Sequence, residues 1–460
     1  MLGEWTLNIA ATATEARLEG VTDPQSQIIR ICTDTRQIQP GDLFVCLKGE
    51  RFDAHDFITQ ARQQGALAAV TDHHLDDALP QLVVEDTLIA LGRLAALNRN
   101  RFSGKLIAVT GSSGKTTVKE LLASMFSQLG PTLFTQGNLN NHIGVPLTLL
   151  RLNAEHQYAV VELGASAEGE IDYTVHLAQP QVALLNNACA AHIEGFGGLD
   201  GVVRAKSEIF NALTDEDTGI INLDDDHASF WQEKLDNRLR SYLTFSVVND
   251  AADIWVSDLA ENELGAWHFR LHYQQDSIKV QLKLLGKHNV ANAAAAAAAW
   301  IATGLPLQAA KSGLEACDAM NGRMKPIALQ SALIIDDSYN ANPQAMQAAI
   351  DYLATRQGKR VLVLGDMAEL GIDEIELHSQ IGQYAADASL DGLYATGPLM
   401  RHAVEAAKLA GLNAMHFENQ GALIEALKQM LSEPVTLLVK GSRSAAMDRV
   451  VTTLQNGETP

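Results

Sequence analysis

The segment Ala108-Val-Thr-Gly-Ser-Ser-Gly-Lys-Thr-Thr117 commits its surroundings to one local fold: an apolar strand, a glycine-bearing loop and a helix. Before it, Lys105-Leu-Ile-Ala-Val109 is strand-like; after it, residues 117–126 carry helical apolar spacing. That order suits a nucleoside triphosphate. Backbone N–H groups of Gly111, Ser112, Ser113 and Gly114 can close around phosphate oxygens, and Lys115 offers a point charge to the β and γ oxygens. The hydroxyl of Thr116, followed by Thr117, can reach a Mg²⁺ ion. Val109 stands where the strict phosphate-loop pattern has glycine. The competing reading, a plain Gly/Ser turn with a solvated lysine, is weakened by the flanking strand and helix.

A chain of 460 residues exceeds one core and predicts two or three domains. Its net charge of −21 argues against a nucleic-acid partner, because no basic block is present to neutralise phosphates. An anionic substrate therefore needs locally concentrated cations, for which Arg36, Lys48, Arg51, Lys115, Lys206, Arg323, Lys440 and Arg443 are candidates. Cys32, Cys46, Cys189 and Cys317 lie far apart without a C-x-x-C pair, as buried thiols of a reducing cytoplasm would. The N-terminus has no basic region before an apolar run, and the longest apolar stretch, residues 290–302, is mostly alanine and too short for a membrane span.

Strands at Leu43-Phe-Val-Cys-Leu47 and Ala66-Leu-Ala-Ala-Val70, with a helix over 56–64, predict a small mixed α/β unit over residues 1–103. Over 104–319, strands at Tyr158-Ala-Val-Val-Glu-Leu163, Val182-Ala-Leu-Leu-Asn186 and Thr218-Gly-Ile-Ile-Asn-Leu223 alternate with helices, which implies a mostly parallel sheet. A small antiparallel insert is expected between about 240 and 285, and Met320-Asn-Gly-Arg-Met-Lys-Pro326 reads as a linker. Beyond it, strands at Ala332-Leu-Ile-Ile-Asp-Asp337, Arg360-Val-Leu-Val-Leu-Gly365, Gly392-Leu-Tyr-Ala-Thr396 and Val435-Thr-Leu-Leu-Val-Lys440 predict a Rossmann-like third unit over 320–460, without the usual glycine fingerprint.

Glu162 ends a strand where a sheet sets a carboxylate beside the phosphate loop, a suitable Mg²⁺ ligand. Asn186-Asn-Ala-Cys-Ala-Ala-His192 follows another strand, and Val203-Arg-Ala-Lys-Ser-Glu-Ile-Phe210 opens a helix. Alone, His192 and Lys206 read as ordinary surface residues.

The order of motifs changes this. Thr110 to Thr117, Glu162, His192, Ala205-Lys206, Gly286-Lys-His-Asn-Val-Ala-Asn292, Asn321-Gly-Arg323 and Asp336-Asp-Ser-Tyr-Asn-Ala-Asn-Pro343 together resemble the Mur ligase family, nearly end to end. These are ATP-dependent ligases that extend the peptide of the peptidoglycan precursor. Thr33-Asp-Thr-Arg36, Pro40-Gly-Asp-Leu-Phe-Val45 and Lys48-Gly-Glu-Arg-Phe-Asp-Ala-His-Asp-Phe57 resemble the uridine-nucleotide-binding first domain of its last two branches. Gly365-Asp-Met-Ala-Glu-Leu-Gly371 and Tyr339-Asn-Ala-Asn-Pro343 narrow the resemblance to the branch that joins UDP-N-acetylmuramoyl-tripeptide to D-alanyl-D-alanine. The Asp-Asn-Pro-Arg motif of the branch that adds the third amino acid is absent.

The resemblance implies a cytoplasmic, monomeric enzyme using ATP and two Mg²⁺ ions. One ion would take Thr116 and Glu162, the other His192 and a carbamylated Lys206. Asn289 and Asn292 would face the adenine, Arg323 the γ-phosphate and Asp337 the ribose. Substrate contacts carried over in the same way are Thr33, Asp34, Thr35, Arg36, Lys48, Arg51, Asp53 and His55 in the first unit, with Asn141, Tyr339, Asn340 and Asn342 beyond it. Rival readings are another carboxylate-amine ligase of the same fold, a phosphate-loop kinase or ATPase that needs no amine acceptor, and a silent scaffold.

Overall fold

The computed structural model describes residues 1–49, 52–189, 193–239 and 241–457. Three sheets follow one another along the chain. The first has five strands in the order Arg17–Glu19, Gln81–Val83, Ala68–Thr71, Asp42–Val45, Arg30–Cys32, antiparallel only at its first pair. The third has six strands in the order Lys325–Ala328, Ala332–Asp337, Val435–Lys440, Lys359–Gly365, Gly392–Thr396, Ala414–Phe417, parallel except for the edge strand Lys325–Ala328. The chain is thus a three-domain α/β protein.

The central sheet has nine strands, and its order positions the site. Lys105–Thr110 lies between Tyr158–Glu162 and Val182–Leu185, all parallel. Leu106 through Val109 are fully buried, as expected for a strand covered on both faces. The loop after Thr110 therefore leaves the sheet between two strand ends, which bring Glu162 to one side and Asn186 to the other.

Two expectations change. The antiparallel segment is no separate insert: Ile254–Glu261 pairs parallel with Tyr242–Ser246, so Ala266–Tyr273 and Asp276–Leu285 simply lengthen the central sheet. The alternation that marks a half-exposed strand does not say which sheet the strand joins. The linker is also shorter than its composition suggests. Met324 is buried, and Lys325 and Pro326 already belong to an edge strand, where a missing N–H is tolerated.

Helix His288–Ala302 contains seven consecutive fully buried alanines, Ala293 to Ala299. It lies between the central sheet and helices Lys115–Phe126 and Leu307–Ala316, so it has no solvent face to carry polar residues. The hairpin between Ile254–Glu261 and Ala266–Tyr273 reaches the third domain. Tyr352 Oη donates to Leu264 O at 2.8 Å, and Arg356 donates to Glu263 O at 3.0 Å while pairing with Glu261 at 3.0 Å. Gly265 has φ +84°, and a Cβ there would sit 2.5 Å from the Tyr352 ring, so both conformation and space call for glycine.

Candidate active site

The phosphate loop runs into helix Lys115–Phe126, whose first N–H groups have no intrahelical partner and point at the loop's concavity. Gly111 and Gly114 both have positive φ. Lys115 is folded over the loop, donating to Gly111 O at 2.6 Å and Ser112 O at 3.3 Å. Burial pushes its pKa down, against the attraction of Glu162.

Glu162 is buried. Oε1 accepts from Asn140 Nδ2 at 2.7 Å, whereas buried Oε2 has no hydrogen-bond partner among the described residues. A carboxylate oxygen left bare in a dry place suits a bound cation, and Thr116 lies in the same cavity. Lys206 is also buried. Among the described residues it donates one long hydrogen bond, to Ala165 O at 3.4 Å, and it lies 5.2 Å from the centre of the Phe196 ring. Desolvation, then Lys115, pushes its pKa down to about 7. His192 and Arg51 lie outside the described residues.

From the third domain, Arg323 donates to Thr116 Oγ1 at 2.9 Å and stacks on the Tyr339 ring at 4.2 Å. Asp337 receives the buried Lys440 ammonium at 2.6 Å. Ser112 to Thr117, Asn141, Glu162, Asn289, Asn292, Arg323, Asp337, Tyr339, Asn340 and Asn342 line one cavity of about 700 Å³ between the central and third sheets. Some are already engaged. Asn141 Oδ1 accepts from Gly144 N at 2.8 Å, and Asn342 Oδ1 caps helix Pro343–Ala354 through Ala345 N at 2.8 Å. Asn289 and Asn292 form a buried chain: Asn289 donates to Leu285 O, Asn292 to Asn289 Oδ1 and Asn186 to Asn292 Oδ1.

The first-domain residues do not line this cavity. Asp34 holds Arg36 at 2.7 Å, Asp53 accepts from His55 at 2.6 Å and faces Lys48 at 3.7 Å, and Thr33 and Thr35 sit in the same segment as Asp34. Sequence reasoning missed Asn140, Asn186, Asn187 and Asp225. Asp225 accepts from Ala188 N at 2.8 Å and so steadies the segment after Asn187. The Asn-Asn pair behind a strand was the available signal, and alone it reads as a turn.

Profiles of the Mur ligase middle domain, of the Mur ligase glutamate ligase domain and of the Mur ligase family catalytic domain match residues 109–300, 322–443 and 27–99. A UDP-N-acetylmuramoyl-tripeptide--D-alanyl-D-alanine ligase of Escherichia coli (strain K12) is 48% identical, covering 93% of this chain and 94% of that one. The crystal structure of MurF from Acinetobacter baumannii superposes with a TM-score of 0.93 at 39% identity, over 99% of each chain. MurF ligase from Thermotoga maritima, solved in complex with ADP, superposes at 0.83 with 27% identity, covering 93% of this chain and 97% of that one. With profiles matching in all three domains and relatives matching along nearly the whole chain, the protein belongs to the Mur ligase family.

Proposed function

We infer that the protein is an ATP-dependent ligase that joins D-alanyl-D-alanine to UDP-N-acetylmuramoyl-tripeptide in peptidoglycan precursor synthesis. The observation that carries this is the 48% identity to a ligase of that name over 93% of the chain. A cavity that combines a phosphate loop with residues of a second domain is what such chemistry needs.

A carboxylate is a poor electrophile, and ATP converts it into an acyl phosphate. The tripeptide carboxylate attacks the γ-phosphorus and ADP leaves; the amine of D-alanyl-D-alanine then attacks the acyl carbon, and phosphate departs as the amide forms. Catalysis of the first step is mainly alignment and charge neutralisation. We assign Lys115 and Arg323 to the phosphoryl group, Asp337 to the ribose, and Asn289 and Asn292 to the adenine. Both cations are half-buried in the cavity wall, where water screens them less than on open surface. The cavity's position between two domains also lets closure shield the acyl phosphate from hydrolysis.

Thr116 and the bare oxygen of Glu162 fit one magnesium ion; His192 with a carbamylated Lys206 would hold a second. Bound there, magnesium supplies charge to the transferring phosphate oxygens. A lysine held near pKa 7 keeps a neutral amine fraction able to capture CO₂, which supports the carbamate. Thr33, Asp34, Thr35, Arg36, Lys48, Arg51, Asp53 and His55 are assigned to the uridine nucleotide, and Asn141, Tyr339, Asn340 and Asn342 to the rest of the substrates. The domains divide as 1–103, 104–319 and 320–460, in a monomer working in the cytoplasm; among the described residues no helix is long and apolar enough to cross a membrane.

Phosphate release with ATP and UDP-N-acetylmuramoyl-tripeptide, with and without D-alanyl-D-alanine, tests the reading. Release that depends on the dipeptide is expected. Equal release without it would identify an ATPase.

A further inference from the structure

The loop amides do not all face the cavity. Ser112 N donates to Asn187 O at 3.0 Å, and Ser113 N donates to Asn187 Oδ1 at 2.9 Å. Asn187 Nδ2 donates back to Ser113 O at 3.2 Å, an oxygen that Asn186 Nδ2 also reaches at 3.1 Å. The Asn187 carboxamide therefore meets both the N–H and the C=O of Ser113, as a neighbouring β-strand would. Only a side chain with a donor and an acceptor on one planar group can make that pair. Ser112 extends the seam: its hydroxyl donates to Cys189 O at 3.1 Å and accepts from Cys189 N at 3.0 Å.

Close approach confirms a fitted seam. A Cβ on Gly111 would lie 3.1 Å from Asn186 Cβ and 3.2 Å from Asn187 N, and φ +152° there disfavours any other residue. With the Ser112 and Ser113 amides committed to this wall, Gly114 and the first turn of helix Lys115–Phe126 follow as N–H groups available for phosphate.

We propose that Asn187 is a positioning residue of the phosphate loop: its carboxamide pins Ser113 by two hydrogen bonds and so turns the following amides toward the nucleotide phosphates. The proposal rests on the reading that this loop holds ATP. It makes the loop's shape a property of the neighbouring strand end, since three residues of glycine-and-serine backbone have little stiffness of their own. A preorganised loop is what lets amide dipoles act on phosphate without reorganising at the moment of transfer.

The test uses the full chain carrying Asn187→Ala or Asn187→Asp, with ADP binding measured by calorimetry and turnover measured against each substrate. Asn187→Ala loses both bonds to Ser113; it is expected to weaken ADP binding and to raise the KM for ATP about tenfold, with the KM for UDP-N-acetylmuramoyl-tripeptide and the Tm near wild type. Asn187→Asp keeps the shape but replaces the donor by charge beside the phosphates, and should bind ADP more weakly than Asn187→Ala. If Asn187→Ala does not fold, the isosteric Asn187→Asp decides. Unchanged ADP affinity in the folded variants would overturn the proposal, and tighter binding would show instead that the side chain obstructs the phosphate position. Because ADP binding needs no amine, weakened binding together with dipeptide-independent phosphate release would sink the ligase reading and leave this one standing.

Discussion

The cavity between the central and third sheets and the charged segment of the first domain treat their cations differently. In the cavity, Lys115 rests on loop carbonyls and Arg323 on a hydroxyl and an aromatic face, and among the described residues neither has a carboxylate in direct contact. In the first domain Arg36 is bidentate to Asp34, which it holds below the usual carboxylate range, and its side chain is 84% exposed. Lys48 is 70% exposed and faces Asp53. A half-buried cation with no acid in direct contact among the described residues stays available to an incoming anion. Exposure with such an acid leaves little field to offer, because water and the neighbour have already taken it.

Lys115→Ala is therefore expected to have the largest effect. It should lower kcat by a factor corresponding to several kcal/mol while circular dichroism and UDP-substrate binding stay normal. Turnover near wild type would remove the asymmetry between the regions at its strongest point.

Arg323→Ala should lower kcat/KM for ATP roughly a hundredfold, since it removes a donor that the third domain delivers to the loop. Steady-state kinetics with varied ATP checks it, and a change below threefold would reduce Arg323 to a structural strut.

Lys206 sharpens the comparison through pH. With a folded pKa of about 7 against an ordinary 10.5, the unfolded chain binds more protons between those values, so this group makes stability rise with pH across that window. Lys206→Met should flatten that rise in CO₂-free buffer, as read from urea midpoints at pH 7 and 9. An undiminished slope would place its origin elsewhere.

Arg36→Ala should be mildest, changing the KM for the UDP substrate by less than about threefold because Asp34 already claims the guanidinium. A tenfold loss would mean that the substrate displaces Asp34, and the two regions would then differ in partner exchange rather than in field.

The legible parts of this molecule were the ones whose chemistry is local. Residues 108–117 contain strand, loop and helix start in one stretch, so the phosphate loop could be read directly. The contact from Arg323 to Thr116 spans 207 positions, and it was reachable only through the family resemblance. Asn187 was missed because its partners are backbone atoms of another segment, which leave no pattern in side-chain identity. Between about 240 and 285 the antiparallel pairing was legible as alternation, whereas the parallel pairing of residues 245–246 with residues 254–255, which joins it to the central sheet, was not. Arg51 and His192, both singled out from sequence, lie outside the described residues.

Helix His288–Ala302 begins at the cavity, with Asn289 and Asn292, and then runs into the core on seven successive alanines before Trp300. It works as a shim whose thickness is counted in methyl groups. Ala296 is fully buried, so a larger side chain there would have to shift the helix against its neighbours, and the Asn292 bond to Asn186 would be strained with it. Sequence drift in this segment is thus limited by volume rather than by polarity, and a change that is conservative on any hydropathy scale can detune a site it never touches.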